Sequence, residues 1–316
     1  MRKDSPALWL GAAIVAYCAL WVLAPRAVFF PIVTAAMSAA LPLTHGYPAA
    51  ILVLAATALV FAPTIAFMAV QFAVVYYFAR LKMDFRRSAA VFVGCVLAAA
   101  VLMALMVVQS GVAERLHRLP TFRESLWVAA YYQGSLKMAA VVMVMLAAAS
   151  LGCMVSLRVT DKNLLVPVVM FAAYIDLWTV TRGPVSVMMK RAPELVHAVA
   201  APIPQVGAGA FIPKFLVGPG DFLFAGLVFA VVSRLGMNGP RNYWFVFGAM
   251  TLGMLAIAAG VLDSFPALIL LAIGVVAANR REFKFSRHEA ISVAVVGAVL
   301  AATLPLVWSI LGPKAK

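Results

Sequence analysis

The sequence predicts an all-α fold, a polytopic transmembrane helical bundle with ten candidate spans. Three observations carry that expectation. Of the 316 residues, 65% are hydrophobic and only 11% are charged, whereas a water-soluble globule is about 45–50% apolar and about 25% charged. Apolar runs repeatedly approach or exceed the roughly 20 residues that a helix needs to cross a bilayer. The 25 Lys and Arg residues fall mostly in short stretches between those runs, where basic residues set topology and meet anionic head groups.

The candidate spans are 7–24, 27–43, 48–79, 88–110, 130–157, 163–181, 215–233, 243–262, 264–279 and 289–311. The first follows Arg2 and Lys3 and ends at Pro25-Arg26; it is long for a cleaved leader, so a retained span is expected. The second is short and carries Pro31, the pattern of a re-entrant segment. The third is too long for one untilted helix and contains Pro63, which predicts a kink or a break. Between the fourth and fifth spans, 112–125 alternates basic and apolar residues as an interfacial connector does. Trp127, Tyr131 and Tyr132 follow it as an aromatic belt, with Gln133 nearby. Lys137 is expected to snorkel from this mouth toward the interface.

The longest connection, 182–213, holds prolines at 184, 193, 202, 204 and 213 and a basic pair, Lys190-Arg191. It is also largely apolar, which suits a segment lying on or dipping into the membrane surface. The basic clusters at 80–87 and 280–287 place the loops after odd-numbered spans on the cytoplasmic side, and 182–213 on the other. The chain therefore divides into a scaffold and substrate-access part (1–162), a central part (163–279), and a basic loop with a final span (280–316).

The net charge of +14 forms no basic patch of domain size, so nucleic acid is not an expected partner; the lipid bilayer is. Cys18, Cys95 and Cys153 lie in separate apolar runs and read as small buried hydrophobes. The four histidines lack ligand-like spacing, and no zinc protease signature occurs. Neither a metal nor an organic cofactor is expected.

Two acids stand apart. Asp176, in Ala-Ala-Tyr-Ile-Asp-Leu-Trp (172–178), and Asp221, closing Gly218-Pro219-Gly220-Asp221, lie well inside apolar segments of membrane length. A carboxylate near a bilayer centre costs about 2.5–3.5 kcal/mol on insertion scales, so such residues usually have a function. Asp176 precedes Arg182 by six residues and Asp221 follows Lys214 by seven. At the helical rise, both then sit roughly 9–10 Å below the same membrane face. Two carboxylates in contact cannot both ionise cheaply, so such a pair holds a shared proton. One acid can then activate a water while the other donates to a scissile carbonyl. Gly218 and Gly220 are expected to let another backbone approach closely, with Pro219 weakening regular helix between them. Pro266-Ala267-Leu268 opens a later span at the same face, where Pro and a small residue can bring backbone near a neighbouring site.

Together these residues resemble the presenilin and signal peptide peptidase family of intramembrane aspartyl proteases. That family carries Tyr-Asp on one span, Gly-x-Gly-Asp on the next and Pro-Ala-Leu two spans later. Arg182-Gly183-Pro184 and Asp221-Phe-Leu-Phe224 are also similar to its local sequences. The resemblance covers about residues 163–279. It implies about nine presenilin-like spans plus one extra C-terminal span, in a multi-pass integral membrane protein. It implies Asp176 and Asp221 as a catalytic dyad, and Gly218, Pro219, Gly220, Pro266, Ala267 and Leu268 as residues shaping the site. Substrates would be single-span membrane proteins or signal-peptide-like segments, with obligate partner subunits not expected. One departure is plain: Tyr174 stands two positions before the acid, not next to it. That turns its ring by about 100° on a helix, leaving it a candidate substrate contact only. Val206–Pro213 is a strand-permissive stretch that could pair with an unwound substrate.

Other readings stay open. Ten spans, proline breaks and membrane acids also describe a proton-coupled transporter, although the sequence shows no repeated half. The prepilin-peptidase type of aspartyl protease shares Gly-x-Gly-Asp but lacks Pro-Ala-Leu in this place. A catalytically idle scaffold for membrane helices would also fit the composition.

Overall fold

The computed structural model describes residues 5–23, 47–132, 134–181, 183–202, 216–258 and 266–311. These are mostly helical. In chain order the helices are α1 (Pro6–Leu23), α2 (Tyr47–Ala79), α3 (Phe85–Gln109), α4 (Val112–Leu116), α5 (Phe122–Tyr131), α6 (Ser135–Ser156) and α7 (Leu165–Thr181). Then come α8 (Pro184–Arg191), α9 (Pro193–Val199), the short strands β1 (Ala201–Pro202) and β2 (Leu216–Val217), and α10 (Pro219–Arg234). The last three are α11 (Gly239–Ala258), α12 (Ala267–Asn279) and α13 (Arg287–Leu311). Among the described residues, α1, α3 and α6 are long and apolar enough to cross a membrane. The candidate span 27–43 and the stretch Val206–Pro213 lie outside the described residues.

α10 is the centre of the fold. Phe222, Ala225 and the unbroken run Gly226–Val232 are buried, the pattern of a helix surrounded by others. It packs against α6 and α2, while α3 covers the far side of α6, and α11 pairs with α12, which packs on α7. One apolar core joins them, including Tyr17, Phe72, Met145, Phe229, Met250 and Leu271. The outer helices do the reverse. On α3, Val93, Leu97, Val101 and Leu105 are 53%, 61%, 59% and 44% exposed; spaced by four, they form one apolar ridge facing away from the protein.

Small residues set the tightest contact. A Cβ added at Gly152 on α6 would lie 2.1 Å from the Leu223 carbonyl oxygen, and one at Gly226 on α10 would lie 2.8 Å from the Ala149 Cα. Backbones approach this closely only where side chains are missing, which is the usual device of helix pairs in lipid. The opposite end of the bundle is tied by polar links. Arg234 of α10 donates to the carbonyls of Ser156 and Val159. Asn242 and Asn279 exchange side-chain amide bonds of 2.9 and 2.6 Å between α11 and α12. Lys162 and Glu282 form an ion pair at 2.8 Å.

Several expectations change. The third span is neither broken nor interrupted: α2 runs as one helix through Pro63, because one lost backbone hydrogen bond is tolerated where neighbouring helices pack alongside. The connection after α7 is no plain loop. Pro184 and Pro193 each occupy the first turn of a short helix, where a missing amide hydrogen costs nothing. The connector 112–125 contributes α4 and the start of α5, the latter opened by a capping box in which the Thr121 hydroxyl and the Glu124 carboxylate satisfy each other's backbone N–H. Lys137 does not snorkel. It is 3% exposed, and its ammonium donates to the carbonyls of Ala129, His197 and Ala198 at 2.8, 3.0 and 3.1 Å.

Two measurements check this packing. Gly152→Ala and Gly226→Ala should each lower unfolding stability in detergent by about 1–3 kcal/mol, the usual cost of overpacking. Gly248→Ala, whose new Cβ meets nothing within 4 Å, should be neutral or stabilising. Glu124 receives the Arg118 guanidinium and the Thr121 amide, which hold its carboxyl down at about 2. Its contribution to the α5 start is therefore complete above the ordinary carboxylate range and lost as pH falls toward 2. A carbon-13 titration of the Glu side chains should find one carboxylate ionised to that pH, and Arg118→Ala should move it upward.

Candidate functional site

Where Asp221 sits follows from Gly218-Pro219. A residue before proline avoids helical backbone, and Gly218 is extended at φ −73°, ψ 154°. Pro219 then opens α10, so the expected span 215–233 begins as strand β2 and becomes helix only at 219. Asp221 falls in the first turn. Its Oδ2 accepts from the Gly218 N–H at 2.9 Å, and its own N–H donates to the Gly218 carbonyl at 3.1 Å. The carboxylate therefore closes the start of a helix whose N-terminal end favours negative charge.

Asp176 is placed differently. It lies five residues before the end of α7, and its Oδ2 accepts from the Leu268 N–H at 2.8 Å. Pro266 is the N-cap of α12 and Ala267 its first residue, so the Leu268 amide is one of the donors that a helix start leaves without an intrahelical partner. Asp176 supplies that partner from another helix. Leu268 itself is buried. Each acid thus sits at the amino end of a helix, Asp176 at α12 and Asp221 at α10, and α10 packs on both α7 and α12.

The remaining candidates divide. Pro266, Ala267 and Leu268 come to Asp176 through the backbone, and Gly218 comes to Asp221. Among the described residues, a Cβ at Gly220 would meet nothing within 4 Å, and one at Gly218 would meet the Asp221 carboxylate at 3.5 Å, so no neighbouring helix presses on either. Close backbone approach is found instead at Gly152 and Gly226. Pro219 and Gly220 edge an apolar groove of about 480 Å³ that continues between α3 and α6 past Val96, Ala99, Ala147 and Leu151. Tyr174 turns elsewhere, its hydroxyl 3.1 Å from the Thr303 Oγ1 of α13.

Behind Asp221 lies a polar arrangement that sequence reasoning missed. Strand β2 pairs antiparallel with β1, Ala201 opposite Val217 and Pro202 opposite Leu216. β1 follows α9, and α9 is fixed to α5 at both ends: Arg123 meets the buried Glu194 at 2.8 Å, and Lys137 takes the carbonyls at the other end. A signal was available. Lys137 is the third residue of α6, where the helix dipole disfavours a cation, so it needs partners from outside the helix. No group of three or more metal-ligating side chains occurs among the described residues.

Comparison with protein-family models, with curated proteins and with solved structures found no match to the chain.

Asp176→Ala should lower the unfolding midpoint more than Asp176→Asn does. The alanine strands the Leu268 amide, a loss of about 1–3 kcal/mol for a buried donor, whereas asparagine retains an acceptor oxygen. Thermal unfolding of both variants in one detergent checks the order.

Proposed function

We propose that this chain is an intramembrane aspartyl protease, hydrolysing peptide bonds in or beside the transmembrane helices of single-span or signal-peptide-like substrates. The carrying observation is that α10 packs on both α7 and α12, with Asp176 and Asp221 each held at a helix start within that group. Helix capping alone accounts for one acid at each helix start. It gives no reason for the two to be near each other, since like charges at close range oppose the fold. A shared-proton pair does give a reason. One carboxylate draws a proton from a water held between the acids, and the other donates to the carbonyl oxygen of the scissile bond; then the proton passes to the leaving nitrogen.

The wider arrangement supports the same reading. The outward apolar ridge of α3 suits a lipid-facing surface, and the long apolar helices suit a multi-pass chain of about nine family-like spans with α13 as an added one. α10 and α12 have 16 and 13 residues, short of the roughly 20 needed to cross the bilayer. Their starts would lie below the membrane surface, where a peptide bond inside a lipid-embedded substrate can reach them. The apolar groove beside Gly220 would accommodate a hydrophobic flank of such a substrate. Lone action without obligate subunits, and no metal or organic cofactor, complete the proposal.

Purified protein with a panel of single-span substrates tests it. Wild type should cleave, and Asp176→Asn and Asp221→Asn should each abolish cleavage while keeping the wild-type unfolding profile. Cleavage by both variants would defeat the proposal. Proton-coupled uptake into liposomes by the same preparation, without cleavage, would favour a transporter instead.

A further inference from the structure

Lys137 is the buried cation that the proposed chemistry does not use, and its surroundings give it a definite task. All three ammonium hydrogens have acceptors: the carbonyl of Ala129 in the last turn of α5, and those of His197 and Ala198 in the last turn of α9. Carbonyls in a final helical turn have no partner within their own helix, so one side chain satisfies the ends of two helices at once. Three residues past Ala198 the chain enters β1, where Ala201 is buried and lies opposite Val217. The next residue after Val217 is Gly218, whose N–H holds the Asp221 carboxylate. A continuous path thus runs from the Lys137 ammonium through α9, β1 and β2 to the carboxylate of Asp221.

We propose that Lys137 is a positioning residue for Asp221. It fixes the end of α9, which fixes β1, which through its pairing with β2 sets the extended backbone at Gly218 and so the direction of the acid. Arg123 is the second point of the same clip. Its contact with Glu194 at 2.8 Å holds the other end of α9, and the Tyr131 ring lies 5.8 Å from that of His197 between them. Neither cation touches the reacting atoms. The clip bears on the geometry of the acid and not on substrate affinity, so it acts on kcat. This inference rests on the proposed protease reading for its kinetic part only; the link from Lys137 to the 216–221 backbone stands apart from any activity.

Hydrogen exchange and cleavage kinetics on the purified full chain test both parts. In Lys137→Met, which keeps the apolar stem and removes the donors, the amides of 216–218, 220 and 221 should exchange about tenfold faster as the local clamp opens, with α11 and α12 unchanged. kcat should fall about tenfold to a hundredfold, as misplacement of a catalytic group by a fraction of an ångström to one ångström does, with KM within about twofold of wild type. Lys137→Arg, which retains charge and donors, should recover most of both. If Lys137→Met does not accumulate as folded protein, Arg123→Met answers the same question from an exposed position, with exchange at 216–221 rising about threefold. Unchanged exchange at 216–221 in the folded variants overturns the positioning role, whatever the activity. Altered exchange together with undiminished cleavage in Asp176→Asn and Asp221→Asn leaves the clip standing and removes the protease reading. A rise in KM at constant kcat would make Lys137 a substrate-binding group and overturn the inference.

Discussion

The Asp176 carboxylate and the Leu268 amide form the contact on which the arrangement of the site depends. It spans 92 positions of sequence and joins two helices that the chain separates by α8 to α11. An unsatisfied amide at the start of α12 would be expensive in an apolar interior, and a lone carboxylate on α7 more so. Each group lowers the other's penalty. The pairing therefore fixes the depth of α12 against α7. It also leaves the second carboxylate oxygen of Asp176, which this bond does not use, for whatever approaches from α10.

Asp221 reaches its level by a different constraint. α10 is gripped along its length by α6, and the absence of side chains at Gly152 and Gly226 brings the two backbones together. The Leu223 carbonyl and the Leu227 nitrogen lie against Gly152, so a slide of α10 along this seam would drive backbone into α6. The first turn of α10 inherits that registration. Above it, the Gly218 amide and the β1–β2 pairing limit the remaining freedom of the acid. Two independent sets of contacts, one apolar and one polar, meet at a single residue.

Much of this was legible in the sequence, and the boundary follows the type of interaction. Apolar runs mark the long described helices to within a few residues, because burial in lipid or in a helix bundle follows composition. Asp176 and Asp221 stood out because an ionisable group in an apolar run is costly. The start of α10 was misplaced, since Leu216 and Val217 are as apolar as the helix that follows. Only the restriction that Pro219 puts on Gly218 separates them. The close approach at Gly152 and Gly226 is not legible locally, because a glycine's neighbour is a tertiary fact. Beside an aromatic belt Lys137 reads as a snorkelling residue; its three carbonyl partners lie 8 and 60 or more positions away, which no local pattern reports.

Tyr174 and Asp176 serve two different neighbours of α7. On α7, Tyr174 and Asp176 are two residues apart, so their side chains diverge by about 200°. One face of the helix gives Asp176 to α12, and the opposite face gives Tyr174 to α13. Met170, one turn before Tyr174, lies on that same second face, where the backbone of Gly297 comes so close that a Cβ there would stand 2.8 Å from the methionine methyl. Thr303 completes the seam through its hydroxyl. A tyrosine at position 175 would point about 100° away from this seam and leave the Thr303 hydroxyl only the Val299 and Leu300 carbonyls of its own helix. The two-residue spacing of Tyr174 and Asp176 thus lets α7 carry α13 on one face while its acid stays turned toward the start of α12.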